Sequence, residues 1–260
     1  MPNQNGLSFS SLDRGINAKV ERARSRVSFR PMPQVRASSG TNAAPVSDVL
    51  RILEADYGDA GCSLAHSDPF ELLVATILSA QCTDARVNQV TPALFREFPD
   101  AGSMGAASQD RIEELVRSTG FFRSKAKSIL GAARAIVRSH GGVVPRTVDA
   151  LVALPGVGRK TANVVLGNAF GQPAGIVVDT HVGRLTRRLG WSRHADPEKV
   201  EADLNRLVPK NRWVWISHAL ILHGRRVCNS RKPRCESCSL AGICPKVGTG
   251  APPSLARRKR

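Results

Sequence analysis

The 260-residue chain contains no apolar run long enough to cross a membrane as a helix. No apolar segment of the secretory type follows Met1. A helical membrane protein and a secreted protein are thereby excluded as expectations, and with secretion goes the setting in which cysteines pair as disulfides. Acidic residues are scarce, 21 against 38 Lys and Arg, which leaves a formal net charge of +17. An excess of that size points to a polyanionic partner and to affinity that falls steeply with salt. Charge alone does not choose among DNA, RNA and an acidic membrane. Strand-like sequence is confined to Ile176–Val178, and one short strand cannot make a sheet. The expected fold is all-α.

Residues 1–44 are also poor in apolar periodicity and rich in Arg, Ser, Asn and Pro. They read as a disordered basic tail that adds non-specific affinity for polyanions. The same composition suits an organellar transit peptide, and an upstream mis-assigned start would look alike. Residues 247–260, ending in Ala256-Arg257-Arg258-Lys259-Arg260, read as a solvated basic end. Between the tails the pattern is helical. Asp68-Pro69-Phe70-Glu71 is a helix start, with a cap, a proline at the first position and a glutamate at the third. Further helices are expected at Val49–Ala55, Arg86–Phe98, Gln109–Ser118, Lys125–Ser139, Val182–Leu189, Glu198–Leu207 and Trp213–Arg226.

Leu154-Pro155-Gly156-Val157-Gly158-Arg159-Lys160-Thr161 is the most informative segment. A proline and two close glycines make a tight turn between apolar helical patterns. Gly156 and Gly158 can take positive φ and admit a phosphate without a Cβ in the way. The second helix starts near Arg159, so its free N–H groups and positive dipole end face the turn. Lys160 sits just inside that site. A helix start disfavours a cation, and burial would push the same way, so the amine is expected to lose its proton more readily than a free lysine. A neutral amine could attack an electrophilic carbon and form a Schiff base. A surface lysine contacting phosphate is the other reading of the same residue.

Asp179 closes the β-branched run Ile176-Val177-Val178 and precedes a helical pattern. It is expected as an N-cap, its carboxylate accepting backbone N–H bonds. A rigid, ionised cap could equally stabilise a positively charged, sugar-like transition state. Cys228, Cys235, Cys238 and Cys244 are spaced C-x6-C-x2-C-x5-C. Thiolates that close need a metal centre. A zinc ribbon normally carries two C-x2-C knuckles and only Cys235–Cys238 is present, so a [4Fe–4S] cluster fits better, although spacing leaves zinc open. Cys62 and Cys82 read as ordinary small core residues.

The turn with its lysine, the Val-Asp-Thr-His segment and the cysteine spacing, in this order, resemble the endonuclease III family from about Val46 to about Pro245. These are DNA glycosylases with a helix-hairpin-helix motif, a Gly/Pro-rich loop ending in aspartate, and an iron–sulfur cluster. The resemblance implies two helical lobes with a cleft between them. One is a helical barrel lobe, residues 63–171, that carries the hairpin. The other joins residues 45–62 to 172–246, which include the cluster loop. It implies Lys160 as nucleophile and Asp179 as its electrostatic partner. Gln81, in Ser79-Ala80-Gln81-Cys82, would fill the stack emptied by a flipped nucleotide. Phe121 would act as an apolar wedge where the family often has leucine. Gly156, Val157, Gly158, Arg159 and Thr161 of the hairpin, and Lys232 between the cysteines, would meet the DNA backbone.

The function so implied is a base-excision glycosylase with AP lyase activity on oxidised pyrimidines in duplex DNA. It would act as a monomer, away from membranes, in a bacterial-type cytoplasm or nucleoid. An adenine-type mismatch glycosylase is one alternative. Such enzymes typically lack this lysine, carry a catalytic glutamate where this loop reads Ser-Ala-Gln, and have a further C-terminal domain. The sixteen residues after Cys244 are expected to leave no room for that domain. A non-enzymatic helix-hairpin-helix DNA-binding module is the other.

Overall fold

A computed structural model describes residues 43–250. The expected terminal tails fall outside that range except for Ala43, Ala44 and residues 247–250. Ala44 is buried, its N–H donating to Leu189 O at 2.9 Å and its carbonyl accepting from Trp191 Nε1 at 2.8 Å.

All regular structure among the described residues is helical. Besides short 3-10 turns at Arg117–Thr119, Lys210–Arg212 and Cys235–Ser237, it comprises, in chain order, α1 (Val46–Tyr57), α2 (Pro69–Leu78), α3 (Asp84–Glu97), α4 (Ala101–Ala106), α5 (Gln109–Val116), α6 (Phe122–His140), α7 (Val148–Val152), α8 (Arg159–Ala169), α9 (Thr180–Arg188), α10 (Pro197–Leu207) and α11 (Trp213–Arg226). Local chemistry sets most of the starts. Asp68 Oδ1 accepts from Glu71 N at 2.9 Å, and Pro69 takes the first position, where a missing N–H costs nothing. Helix α6 ends at Gly141, left-handed at φ 59°, with Gly142 N–H bonded back to Ile136 O.

Two separate hydrophobic cores result. The first gathers α2 to α8 around Leu72, Leu73, Leu94, Ile129, Ile136 and Leu151. The second joins α1 to α9, α10 and α11 around Leu53, Ile176, Leu185, Leu204 and Leu220. The chain crosses between cores twice: Ala60 packs on the second and Cys62 on the first, then Ala174 on the first and Ile176 on the second. The strand-like run Ile176–Val178 is not a strand. Its amides are satisfied by side chains instead, Ile176 N by Asn205 Oδ1 and Val177 N by Ser217 Oγ, each at 3.0 Å. Those bonds tie the run to α10 and α11.

Candidate active site and cysteine loop

The hairpin is α7, the turn 153–158, and α8. Gly156 takes φ 76°, and a Cβ there would lie 2.4 Å from Ser128 Cβ. Both backbone shape and space demand glycine. Pro155 presses on α6 where Gly131 leaves room: a Cβ at 131 would meet the proline ring at 3.0 and 3.1 Å. Gly158 corrects the expectation of positive φ. It is the N-cap of α8 in extended backbone, φ −97° and ψ 174°, with open space where a Cβ would stand. Val157 is buried in the first core and its N–H goes to Leu154 O at 3.1 Å. The first helical bond of α8 is Ala162 N to Gly158 O, so the amides of 158–161 have no protein acceptor among the described residues. No side chain caps this helix. Lys160 is exposed.

Asp179 is the N-cap of α9, as the sequence predicts. Its Oδ1 accepts from His181 N and Val182 N, both at 2.8 Å, and Oδ2 has no hydrogen-bond partner among the described residues. Helix α11 is a neighbour of both α8 and α9. It packs along α9, and it meets α8 where Gly167 lies under Val214 and where His218 Nε2 bonds Asn168 Oδ1 at 2.9 Å. Burial pushes the His218 and His181 imidazoles below the usual histidine range.

Gln81 and Phe121 share an unusual property. Both are exposed, Phe121 at 67%, and both hold left-handed backbone, φ 52° and φ 48°. For a non-glycine residue that conformation costs about 1–3 kcal/mol and persists only where the surroundings enforce it. At Phe121 the enforcement is visible. Lys125, buried, donates from Nζ to Thr119 O at 2.8 Å and pins the turn that precedes the phenylalanine. Burial lowers the Lys125 amine from its ordinary range.

The four cysteines line one cavity of about 30 Å³ together with Arg188, His223 and Leu240. No group of three or more His, Cys, Asp or Glu side chains among the described residues closes around a single ion position. Burial, with the neighbouring thiols adding to it, pushes Cys238 up to about 11. Cys244 is raised by burial as well. Four thiolates in such a place need a cationic centre, which suits the donor set to a metal group. Arg188 braces the loop, with Nη1 3.1 Å from Cys228 Sγ and 2.7 Å from Asn229 O, and Nη2 2.8 Å from Ser230 O. Arg184 reaches Cys228 O at 3.0 Å, and His223 Nε2 lies 3.4 Å from Cys238 Sγ. Arg231, Lys232 and Arg234 stay exposed.

A family model described as HhH-GPD superfamily base excision DNA repair protein matches residues 74–210. The endonuclease III of Synechocystis sp. is 54% identical over 201 residues, 77% of this chain and 92% of that one. The chain belongs to the endonuclease III family. Its relatives include the endonuclease III of Bacillus subtilis, 49% identical over 72% of this chain and 86% of its own, and that of Escherichia coli K12, 41% identical over 78% and 96%. Among solved structures, a non-covalent endonuclease III–DNA complex is similar at TM-score 0.73 and 43% identity, covering 77% of this chain and 94% of that one. A trapped endonuclease III–DNA covalent intermediate with an estranged adenine is similar at TM-score 0.72 and 42% identity, covering 77% and 96%.

In this endonuclease III family member the sequence reading overlooked two carboxylates. Asp84, three residues after Gln81, accepts from Ser63 Oγ at 2.6 Å and from Arg225 of α11 at 3.2 Å, which ties the lobes. Glu201 of α10 holds Arg159 in a bidentate pair at 3.0 and 3.1 Å. An acidic residue in the first turn of a helix reads as dipole compensation, and that signal masked Asp84. Nothing local marks Glu201. No described helix is long and apolar enough to cross a membrane.

Proposed function

We propose that this chain is a base-excision DNA glycosylase with AP lyase activity that removes oxidised pyrimidines from duplex DNA. The observation that carries the reading is the presence of two unlike helix starts, on two helices that share α11 as a neighbour. One is left open and bears Lys160; the other is closed by Asp179. The open amides of 158–161 and the free space at Gly158 suit a DNA phosphate. The extruded nucleotide enters the cleft between lobes, Gln81 fills the vacated stack and Phe121 wedges the adjoining step. Left-handed backbone presents both side chains at the surface. Thr161 and Lys232 add contacts to the backbone, whereas the Arg159 guanidinium is held by Glu201.

In the reaction the neutral Lys160 amine bonds to C1′, and the base departs with the glycosidic electron pair and takes up a proton. Asp179 Oδ2, free of backbone donors among the described residues, stabilises the positive charge developing on the sugar. Ring opening leaves a protonated Schiff base. Loss of a C2′ proton then expels the 3′ phosphate by β-elimination, and water releases the amine. Cys228, Cys235, Cys238 and Cys244 would hold a [4Fe–4S] cluster, which would supply a multivalent cross-link that shapes the loop for DNA rather than a reacting group. The single C-x2-C knuckle, where a zinc ribbon normally carries two, supports a cluster over zinc. The enzyme acts as a monomer on nucleoid DNA. Adenine-type and binding-only readings leave Lys160 without a task.

Borohydride trapping on a duplex with one thymine glycol tests this. Wild type is expected to form a covalent adduct and Lys160→Ala none. Base release without trapping would replace the lysine mechanism by a monofunctional one, and neither event would leave a binding module.

A further inference from the structure

Behind the hairpin, one face of α8 forms the seam between lobes. Arg159, Asn163 and Gly167 recur at i, i+4 and i+8, one above another on a helix. Gly167 lies under Val214 of α11, where a Cβ would approach to 2.8 Å. Arg159 grips Glu201 of α10 with Nε to Oε2 at 3.1 Å and Nη2 to Oε1 at 3.0 Å. Glu201 is only 6% exposed, so its charge needs that partner. Gly175, where the chain crosses between cores, completes the arrangement. Its φ is not left-handed, so its lack of a side chain is a matter of space. A Cβ there would lie 2.0 Å from Glu201 Oε1 and 2.9 Å from Asn163 Nδ2. Asn163 itself is 2% exposed, with both amide atoms unpartnered among the described residues. The seam is polar and tight where an ordinary lobe contact would be apolar.

We infer that the Arg159–Glu201 pair is a positioning strut, which fixes the first turn of α8, and so the Lys160 amine, against the lobe that carries Asp179. Successive residues on a helix diverge by about 100°. Clamping Arg159 to the second lobe therefore sets the rotation of α8 about its axis, and with it the direction of its neighbour Lys160. A charged fork resists that rotation better than aliphatic packing, because two parallel N–H···O bonds define a plane. This inference rests on the Schiff-base role proposed for Lys160.

Two readouts on the full-length, cluster-loaded protein test it, with variants Glu201→Gln and Arg159→Lys. The first is the single-turnover rate of borohydride-trappable adduct on a preformed abasic duplex at saturating enzyme, with duplex affinity measured separately. Glu201→Gln is expected to slow the rate about tenfold with affinity within about threefold, since small misplacements of a reacting group act on rate rather than binding. Arg159→Lys, which keeps the charge but loses the fork, should slow it about threefold; it supplies the rate if Glu201→Gln does not fold. The second is amide exchange in the free protein at Ala162 and the next two residues, whose bonds close the first turn of α8. It should quicken about tenfold in Glu201→Gln, or measurably in Arg159→Lys, as that turn loosens. Adduct formation at the wild-type rate in either folded variant overturns the strut, as does a loss of affinity that matches the loss of rate. If wild type forms no adduct, the lysine mechanism fails and exchange alone decides, unchanged protection overturning the strut.

Discussion

The two lobes are held together by different means. In the first, helices α2 to α8 meet through fully buried aliphatic side chains such as Leu72, Leu73, Ile129 and Ile136. In the second, helices α1, α9, α10 and α11 pack conventionally, but residues 227–250 contribute only Leu240 to the buried apolar set. That stretch is shaped by Arg184, Arg188 and His223 acting on carbonyls and thiols. Aliphatic packing is specified by volume and tolerates no vacancy. A loop with almost no core is specified by donors, acceptors and whatever the four thiols bind. The two groups proposed to react follow the same division, with Lys160 on the aliphatic lobe and Asp179 on the polar one.

The largest effects separate those two groups. Lys160→Ala should abolish the borohydride adduct while duplex affinity, measured by fluorescence anisotropy, changes less than about fivefold; an adduct in that variant would move the nucleophile elsewhere. Asp179→Asn keeps a good cap but loses the charge. Single-turnover base release should then fall by about 100-fold, a typical loss for one preorganised electrostatic group, with little change in Tm. An unchanged rate would reduce Asp179 to a cap.

Smaller effects sharpen the comparison of lobes. Leu73→Ala opens a cavity at a fully buried site and should cost about 2–5 kcal/mol in denaturant titration, leaving residues 227–237 as protease-resistant as before. Arg188→Met should cost about 2–3 kcal/mol and expose that loop to limited proteolysis. Equal loop sensitivity in both variants would erase the distinction. The smallest effect concerns pH. Burial depresses the folded-state pKa of His218 below the ordinary histidine value, so below about pH 6.5 the unfolded chain takes up a proton that the folded chain resists. Stability is therefore full above that pH and lost as pH falls. His218→Gln should flatten the fall in Tm between neutral and mildly acidic pH, and an identical slope would assign the acid sensitivity to other groups.

Much of this was legible in sequence because it is short-range. Asp68 and Asp179 cap their helices as their positions predict, and α11 spans the expected residues. Helix α4 was not legible, since Ala-Gly-Ser-Met-Gly-Ala lacks an apolar period and the helix is held by a capping box at Asp100 and Ser103. Ile176–Val178 carries strand-like residues yet bonds to side chains of α10 and α11, a tertiary override of propensity. Gly158 looked like a conformational glycine, whereas its backbone is ordinary and the space in front of it is open.

Sequence by itself determined the all-helical class, the hairpin with Lys160 at an open helix start, the Asp179 cap and the set of four thiols. Each depends on chemistry within a few residues: a cap, a turn, a spacing. Tertiary structure alone decided how those pieces face one another. Arg159 meets Glu201 across 42 residues and Arg225 meets Asp84 across 141. No local rule selects such partners, because they are brought together only when two apolar cores form and polar groups caught at the seam must find each other.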